Sequence, residues 1–348
     1  MAPPAARDRT AALSRSCVHG GPLGDTVGRI MTDTTLAADA PLYIVLNAGS
    51  GASEKEERRA AIEEVLTAAG RRYHLHLVED GSELDDAAIA HAGQACANGG
   101  ILVAAGGDGT INAVARQAVA HGCPFGALPQ GTFNYFGRTH GISEELSDAV
   151  HALLTATVQP VQIGSVNGRI FLVNASIGLY PELLEEREQD KAQFGRSRVV
   201  AFLSALKTIL SPHRRLRLTL EAEDRTMHLR THTLFVGNNR LQMEQVGLTE
   251  LAPEVAEGEL AAVAPKPAGR LGMLGLVLQG ALGRLADTGD VVAFGFRRMT
   301  VRTPFYGRRR VKAAVDGEVL TLTTPLHFEA LDGRLRLLVP AARNLVKD

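Results

Sequence analysis

Residues 104–114 read AAGGDGTINAV, an apolar run that passes into Gly106-Gly107-Asp108-Gly109-Thr110 and then into a helix-forming stretch. Asp-Gly is ordinary turn chemistry, and a tight turn alone would account for the glycines. The alternative is anion binding: glycines let the backbone approach a phosphate closely, and a helix opening at Thr110 would aim its free N–H groups at it. Two further segments repeat the pattern at the end of an apolar run, Asn47-Ala48-Gly49-Ser50-Gly51 and Pro129-Gln130-Gly131-Thr132-Phe133-Asn134. Carboxylates for proton or metal chemistry stand in Asp316-Gly317-Glu318, although Asp-Gly between alternating strands equally suits a hairpin turn. The P-loop pattern G-x-x-x-x-G-K-[ST] is absent, and Lys55 falls inside the first predicted helix.

The three glycine loops can act together only in a fold that brings them to one edge. The apolar pattern predicts strands at 42–47, 73–79, 101–105 and 125–129. Helices are predicted over 54–70, about 83–98, from Thr110 onward and about 143–156; in the first, Ile62, Val65, Leu66 and Ala69 share one face. That alternation predicts an α/β domain over 41–158, a parallel sheet with helices on both faces, whose carboxyl-end loops form the ligand crevice. After Pro160 the texture changes. Asn167-Gly168 between two β runs is a strong hairpin signal, and strand-like runs recur at 214–222, 226–237, 259–264, 291–303, 309–315, 318–323 and 334–339. Helical interruptions fall at about 182–210 and 270–286. A mostly antiparallel second domain is expected over 159–330, with 331–348 a C-terminal segment returning to the first domain. Residues 1–40 lack apolar periodicity and read as a disordered extension, within which Met31 is a candidate start.

Composition narrows the classes. Of 348 residues, 45% are hydrophobic, enough for a sizeable core, and 37 basic against 38 acidic residues give a net charge of −1. That balance argues against a nucleic-acid binder working by neutralising many phosphates. Cys17, Cys96 and Cys123 show neither a C-x-x-C spacing nor a disulfide framework, which fits a reducing cytosol. The histidines form no metal-ligand pattern, and no run is long and apolar enough to span a bilayer. Apolar runs beside cations occur at 196–217 and 269–285, with a third basic stretch at 305–310. Each is more often core or solvated edge than a membrane contact.

Taken in order, Asn47-x-Gly-Ser-Gly51, Gly106-Gly-Asp-Gly-Thr110, Pro129-x-Gly-Thr-x-Asn134 and Phe136 resemble the ATP-site motifs of the diacylglycerol kinase catalytic-domain family, which includes bacterial lipid kinases, sphingosine kinases and ceramide kinases. The resemblance continues through Asn174-Ala-Ser-Ile-Gly178, Ala252-Pro253 and Val315-Asp-Gly-Glu318, over about residues 42–345. It implies a phosphofructokinase- or NAD kinase-like α/β domain joined to a β-sandwich, with ATP in the cleft. NAD kinases share GGDG but are expected to follow it with an Asn-x-Gly-x-Leu-Gly type of segment, where this chain has Pro-x-Gly-Thr-x-Asn. The resemblance further implies that Asn47, Ser50, Gly51, Gly106, Gly107, Asp108, Gly109, Thr110, Asn112, Gly131, Thr132 and Asn134 line the nucleotide. Asn134 equally suits fixing its own loop. Asp108 would join a Mg²⁺ network, Glu318 would act as general base, and Asp316 would orient it or help organise metal, with those two roles exchangeable. A structural Mg²⁺ site of the family meets Glu257 here in place of aspartate, and Ala48 replaces its usual proline. Glu254, Glu257 and Glu259 otherwise read as a solvated acidic turn. The implied activity is ATP- and Mg²⁺-dependent phosphorylation of a lipid hydroxyl, diacylglycerol first, at the cytoplasmic face of a membrane by peripheral contact. Rival expectations are a sphingoid-base or ceramide kinase, a soluble-metabolite kinase of the NAD kinase type, and a catalytically silent nucleotide-binding regulatory module. The oligomeric state stays open, a homodimer included.

Overall fold

Parallel pairing explains why the first strands read as unbroken apolar runs. In the computed structural model β1 (Leu42–Leu46), β3 (Ile101–Gly106) and β4 (Phe125–Pro129) are buried at every residue, as strands covered on both faces must be. The edge strand β2 (Tyr73–Leu77) is only partly buried. The order is β2-β1-β3-β4, all parallel, with Leu46 opposite Ala105 and Gly106 opposite Pro129. This register sets Asn47, Gly106 and Pro129 side by side at the carboxyl edge. Helices α1 (Ala52–Ala68), α2 (Leu84–Ala97), α3 (Asp108–His121) and α5 (Leu146–Thr155) cover the sheet, α1 packing on α5 and α2 on α3. A short α4 (Tyr135–Thr139), unpredicted, follows the third glycine loop.

The structure describes residues 39–47, 52–181, 184, 215–223, 225–285, 289–304 and 309–341. The predicted extension as far as residue 38, Ser50 and Gly51, most of the helical interruption at 182–210 and most of the basic stretch at 305–310 lie outside these residues.

The sheet does not end at β4. The last strand, β16 (Leu326–Val339), pairs in parallel with β4 at Leu337–Phe125 and antiparallel with β5 (Thr157–Val166). It leads on to β13 (Arg298–Arg302), β8 (Leu216–Ala222) and β9 (Arg225–Thr231), so ten strands form one continuous sheet. The hairpin at Asn167-Gly168 is present: β5 pairs with β6 (Arg169–Phe171), and φ of 49° and 80° at the two central residues makes the type I′ geometry that only such residues tolerate. A second, six-stranded antiparallel sheet has the order β12-β11-β10-β7-β14-β15. Its members are β7 (Asn174–Gly178), β10 (Thr233–Gly237), β11 (Leu260–Pro265), β12 (Val291–Phe296), β14 (Arg310–Val315) and β15 (Glu318–Thr323). Phe171, Leu220, Phe296, Met299 and Phe328 fill the space between the two sheets. The architecture is therefore a parallel α/β layer plus an antiparallel sandwich, as the sequence leads one to expect.

Three strand readings need correction. The run 226–237 is two strands in different sheets, parted at His232, where the Thr231 hydroxyl donates to the carbonyls of Thr233 and Pro265. The run 291–303 likewise divides at Arg297, whose N–H donates to Glu223 Oε1. Asp332-Gly333 is not a strand boundary: β16 starts at Leu326 and absorbs the pair as a register shift between Leu331 and Leu335. Among the described residues three helices decorate the second sheet, α6 (Arg240–Gln245), α7 (Ala252–Ala256) and α8 (Arg270–Ala281), the last matching the predicted interruption at 270–286.

Candidate active site

The glycine loop after β3 is built by close packing. A Cβ at Gly106 would lie 2.8 Å from the Thr110 side chain, so only glycine lets Thr110 fold back beneath the strand end. There Thr110 is buried and its hydroxyl accepts a 3.1 Å bond from Asn47 Nδ2, tying the end of β1 to the first turn of α3. Gly107 opens α3 without any side-chain cap, so no side chain of its own competes for the first-turn N–H groups. The third loop lies directly against it: a Cβ at Gly131 would stand 3.2 Å from Gly107 Cα and 3.0 Å from Asn134 Oδ1. Asn134, buried at φ 47°, accepts from the Gly131 N–H at 2.8 Å and donates to the Gly131 carbonyl and to Glu144. Its side chain is therefore spent on its own loop. Thr132 is exposed at the loop tip.

The acidic turn reaches this crevice from the other domain, and α3 receives it. Asp108, Asn112 and Arg116 stand at i, i+4 and i+8, one stripe of a helix that rises 1.5 Å per residue. Asn112 Nδ2 donates to Asp316 Oδ2 at 2.6 Å, and the Arg116 guanidinium lies 3.8 Å from Glu318 Oε2. Asp316 sits at φ 45° and Gly317 at φ 85°, again a type I′ hairpin, so the turn that the strands require is also the turn that presents the carboxylates. Three backbone N–H groups in a row, from Leu172, Val173 and Asn174, donate to the Asp316 carboxylate at 2.6, 2.9 and 2.8 Å. Burial raises the Asp316 pKa, and these three bonds together with Asn112 pull it back. Asp316 thus clamps β6, β7, β14 and α3 together. The Asn112 side chain, expected beside the nucleotide, gives its amide N–H to this clamp.

Glu318 behaves differently. Its side chain remains 58% exposed, bonded to Arg169 and near Arg116. Arg116 also pairs with Asp85 at 2.9 Å. Sequence alone singles out neither arginine: the signal for Arg116 is the i+4 spacing that follows Asp108 and Asn112, and Arg169, in β6, carries none.

Asp108 is the perturbed group of the site. Its carboxyl titrates near pH 6, raised first by burial and then by the Asp316 and Glu144 carboxylates, against a backbone N–H bond from Asn134. Its Oδ1 is buried and has no hydrogen-bond partner among the described residues. A buried carboxylate oxygen facing other acids and lacking a donor suits a hard cation bound with phosphate oxygens, so the residues present fit Mg²⁺ at Asp108. Glu257, expected at a separate structural Mg²⁺ site, lies in the second domain away from this crevice. It is exposed at the end of α7, its carbonyl accepts from the Arg297 guanidinium, and no group of three His, Cys, Asp or Glu with metal-binding geometry occurs among the described residues. Nor are its neighbours a solvated turn: the carboxylates of Glu254 and Glu259 both close over Gly295, and Glu254 Oε2 is buried.

Residues 41–166 match the diacylglycerol kinase catalytic domain. Over 261 residues, 71% of this chain and 79% of the relative, the sequence is 31% identical to a protein of Pseudomonas aeruginosa strain UCBPP-PA14 named "Probable lipid kinase YegS-like", and it matches the corresponding protein of strain PAO1 equally. A crystal structure of a diacylglycerol kinase from Bacillus anthracis str. Sterne superposes with a TM-score of 0.61 at 17% identity, covering 87% of this chain and 97% of that one, a likeness of fold. Fold and matches together define a kinase-type transferase. More narrowly, the chain belongs to the diacylglycerol kinase catalytic-domain family of lipid kinases.

Proposed function

We propose that this protein transfers the γ-phosphate of ATP, with Mg²⁺, to a hydroxyl of diacylglycerol at a membrane surface. The observation that carries the reading is the α3 stripe: one helix holds an unpaired, buried Asp108 oxygen at the glycine loops and, two turns on, seats the turn bearing Glu318. In this reading the uncapped start of α3 and the paired Gly107 and Gly131 backbones cradle the phosphates, with Asn47 and Thr110 holding the loop in shape. Asp108 would hold Mg²⁺, which when bound neutralises charge on the transferring phosphoryl group. Glu318, exposed where Asp316 is enclosed, is the carboxylate that can take the proton of an incoming hydroxyl, so the two acids of the turn divide into a clamp and a base. Glu318→Gln is expected to lower kcat by roughly 10²–10⁴-fold with little change in KM for ATP. Steady-state kinetics check this, and an unchanged kcat contradicts it.

Gly131→Ala tests the cradle. The added methyl meets Gly107 Cα at 3.2 Å, so the two loops must part. Nucleotide affinity is expected to fall about tenfold or more, with a stability loss of about 1–2 kcal/mol. Isothermal titration with ATP beside a thermal melt separates the two effects. The acceptor is decided by transfer of label from γ-labelled ATP to diacylglycerol, ceramide, sphingosine and NAD in parallel. Label on diacylglycerol supports the proposal, label on ceramide or sphingosine moves it to the sphingoid branch, and label on NAD alone overturns the lipid reading. Nucleotide binding without any transfer is the result expected of a silent regulatory module.

A further inference from the structure

We infer that α8 is the membrane-docking element of this protein, laying its outer face on an anionic lipid bilayer; the inference rests on the lipid-kinase reading above. Among the described residues five large hydrophobic side chains are exposed, and three gather at one end of the second domain: Leu278 at 59%, Leu282 at 62% and Tyr180 at 38%. Leu278 and Leu282 are four residues apart and so share a face, while Leu276, nearly opposite, is buried against Leu179, the neighbour of Tyr180. The helix thus has an anchored side and an unburied apolar side. Its charge is one-signed. Between Glu259 and Asp287 the chain has no acidic residue and three basic ones, Lys266, Arg270 and Arg284, of which Lys266 and Arg284 are exposed. Leucines flanked by cations, with a tyrosine at the border, match an acyl boundary beneath anionic headgroups. No helix among the described residues is long and apolar enough to cross a membrane, so the contact is one of a helix lying in the surface.

The mounting of α8 connects this face to the cleft. A Cβ at Gly247 would collide with the Gly283 carbonyl at 2.1 Å, and the Leu285 N–H donates to the Val246 carbonyl at 3.1 Å. These contacts seat the end of α8 on the end of α6. From α6, Gln242 accepts from Asn174, and the preceding Asn239 donates to the Tyr135 carbonyl and the Thr139 hydroxyl of α4. Leu179 meanwhile follows directly on β7, whose first residue, Asn174, donates to Asp316. β7 is five residues long, so Leu179, on which the inner side of α8 packs, lies roughly 15–20 Å along the strand from the clamp.

The test is sedimentation of the full chain with vesicles of phosphatidylcholine alone or mixed with phosphatidylglycerol, for the wild type, Leu278→Glu/Leu282→Glu and Ile89→Glu, the last altering an exposed side chain on α2. The wild type is expected to sediment with the anionic vesicles, the double variant to bind roughly tenfold or more weakly with an unchanged melting temperature, and Ile89→Glu to bind as the wild type. Arg284→Glu should weaken binding by about fivefold. Wild-type protein that ignores anionic vesicles overturns the inference, as does a double variant that binds them undiminished, including one that only changes oligomeric state. Failure of the kinase reading shows separately, as absence of transfer to any lipid while vesicle binding still follows Leu278 and Leu282.

Discussion

Asp108→Asn is expected to lower phosphoryl transfer about a thousandfold while making the metal-free protein more stable at neutral pH. The two effects have one cause. The Asp108 carboxyl titrates near pH 6 in the fold, above the 3.8 of a free side chain, because it is buried beside Asp316 and Glu144. A carboxyl whose pKa is raised by folding contributes stability that is complete below its unfolded pKa, near 4, and is lost as pH rises through about 6. A shift of that size corresponds to about 3 kcal/mol, which solvent reaching the partly exposed group reduces to about 1–2 kcal/mol. The amide carries no such penalty. Melts in chelator should therefore show Asp108→Asn gaining several degrees at pH 8 and nothing at about pH 4. Added Mg²⁺ should raise the melting temperature of the wild type more than that of the variant. Parallel pH profiles for the two proteins would show that burial and the neighbouring acids do not perturb Asp108.

Asp316→Asn is the second large effect, and it falls on stability first. The variant is expected to lose about 3 kcal/mol or more, because one carboxylate satisfies four donors and an amide offers a single acceptor oxygen while turning N–H groups toward others. Backbone strain does not confuse the result, since asparagine accepts the φ of 45° at this position at least as well as aspartate. Asn112→Ala, which removes one donor of the four, should cost only about 1 kcal/mol. Urea titration measures both. Activity in Asp316→Asn is expected to fall with the loosened turn, since the same turn carries Glu318. A variant as stable as the wild type but inactive would assign Asp316 to the chemistry and contradict its role as a clamp.

Much of the first domain is legible in the sequence because its signals are local. Unbroken apolar runs, helices of matching period and glycines at strand ends give the order of elements and put the loops after β3 and β4 at one edge with the end of β1. The second domain is harder for a physical reason: a chain can leave one sheet for another without any turn residue. The changes at His232 and Arg297 occur inside continuous alternating runs, and Asp332-Gly333, which looks like a turn, is absorbed within a single strand. The site divides in the same way. Gly-Gly-Asp-Gly-Thr announces itself, and Asp108, Asn112 and Arg116 already stand at helical spacing. What they face does not, because Asp316 and Glu318 are about two hundred residues away and only folding selects them. The three N–H groups that enclose Asp316 belong to backbone and leave no trace in residue type. The acids at 254–259 mislead for a related reason, since nothing nearby in sequence tells that Gly295 leaves room for two of them.

We propose that Asp108 and Glu318, seated two turns apart along α3, form one phosphoryl-transfer site. It is tested most directly by transfer of label from γ-labelled ATP to diacylglycerol in mixed micelles with Mg²⁺, comparing the wild type with Asp108→Asn and Glu318→Gln at matched, verified folding. Labelled lipid is expected from the wild type and almost none from either variant, each of which still melts cooperatively. Labelled lipid from a folded Asp108→Asn or Glu318→Gln protein at the wild-type rate would contradict it.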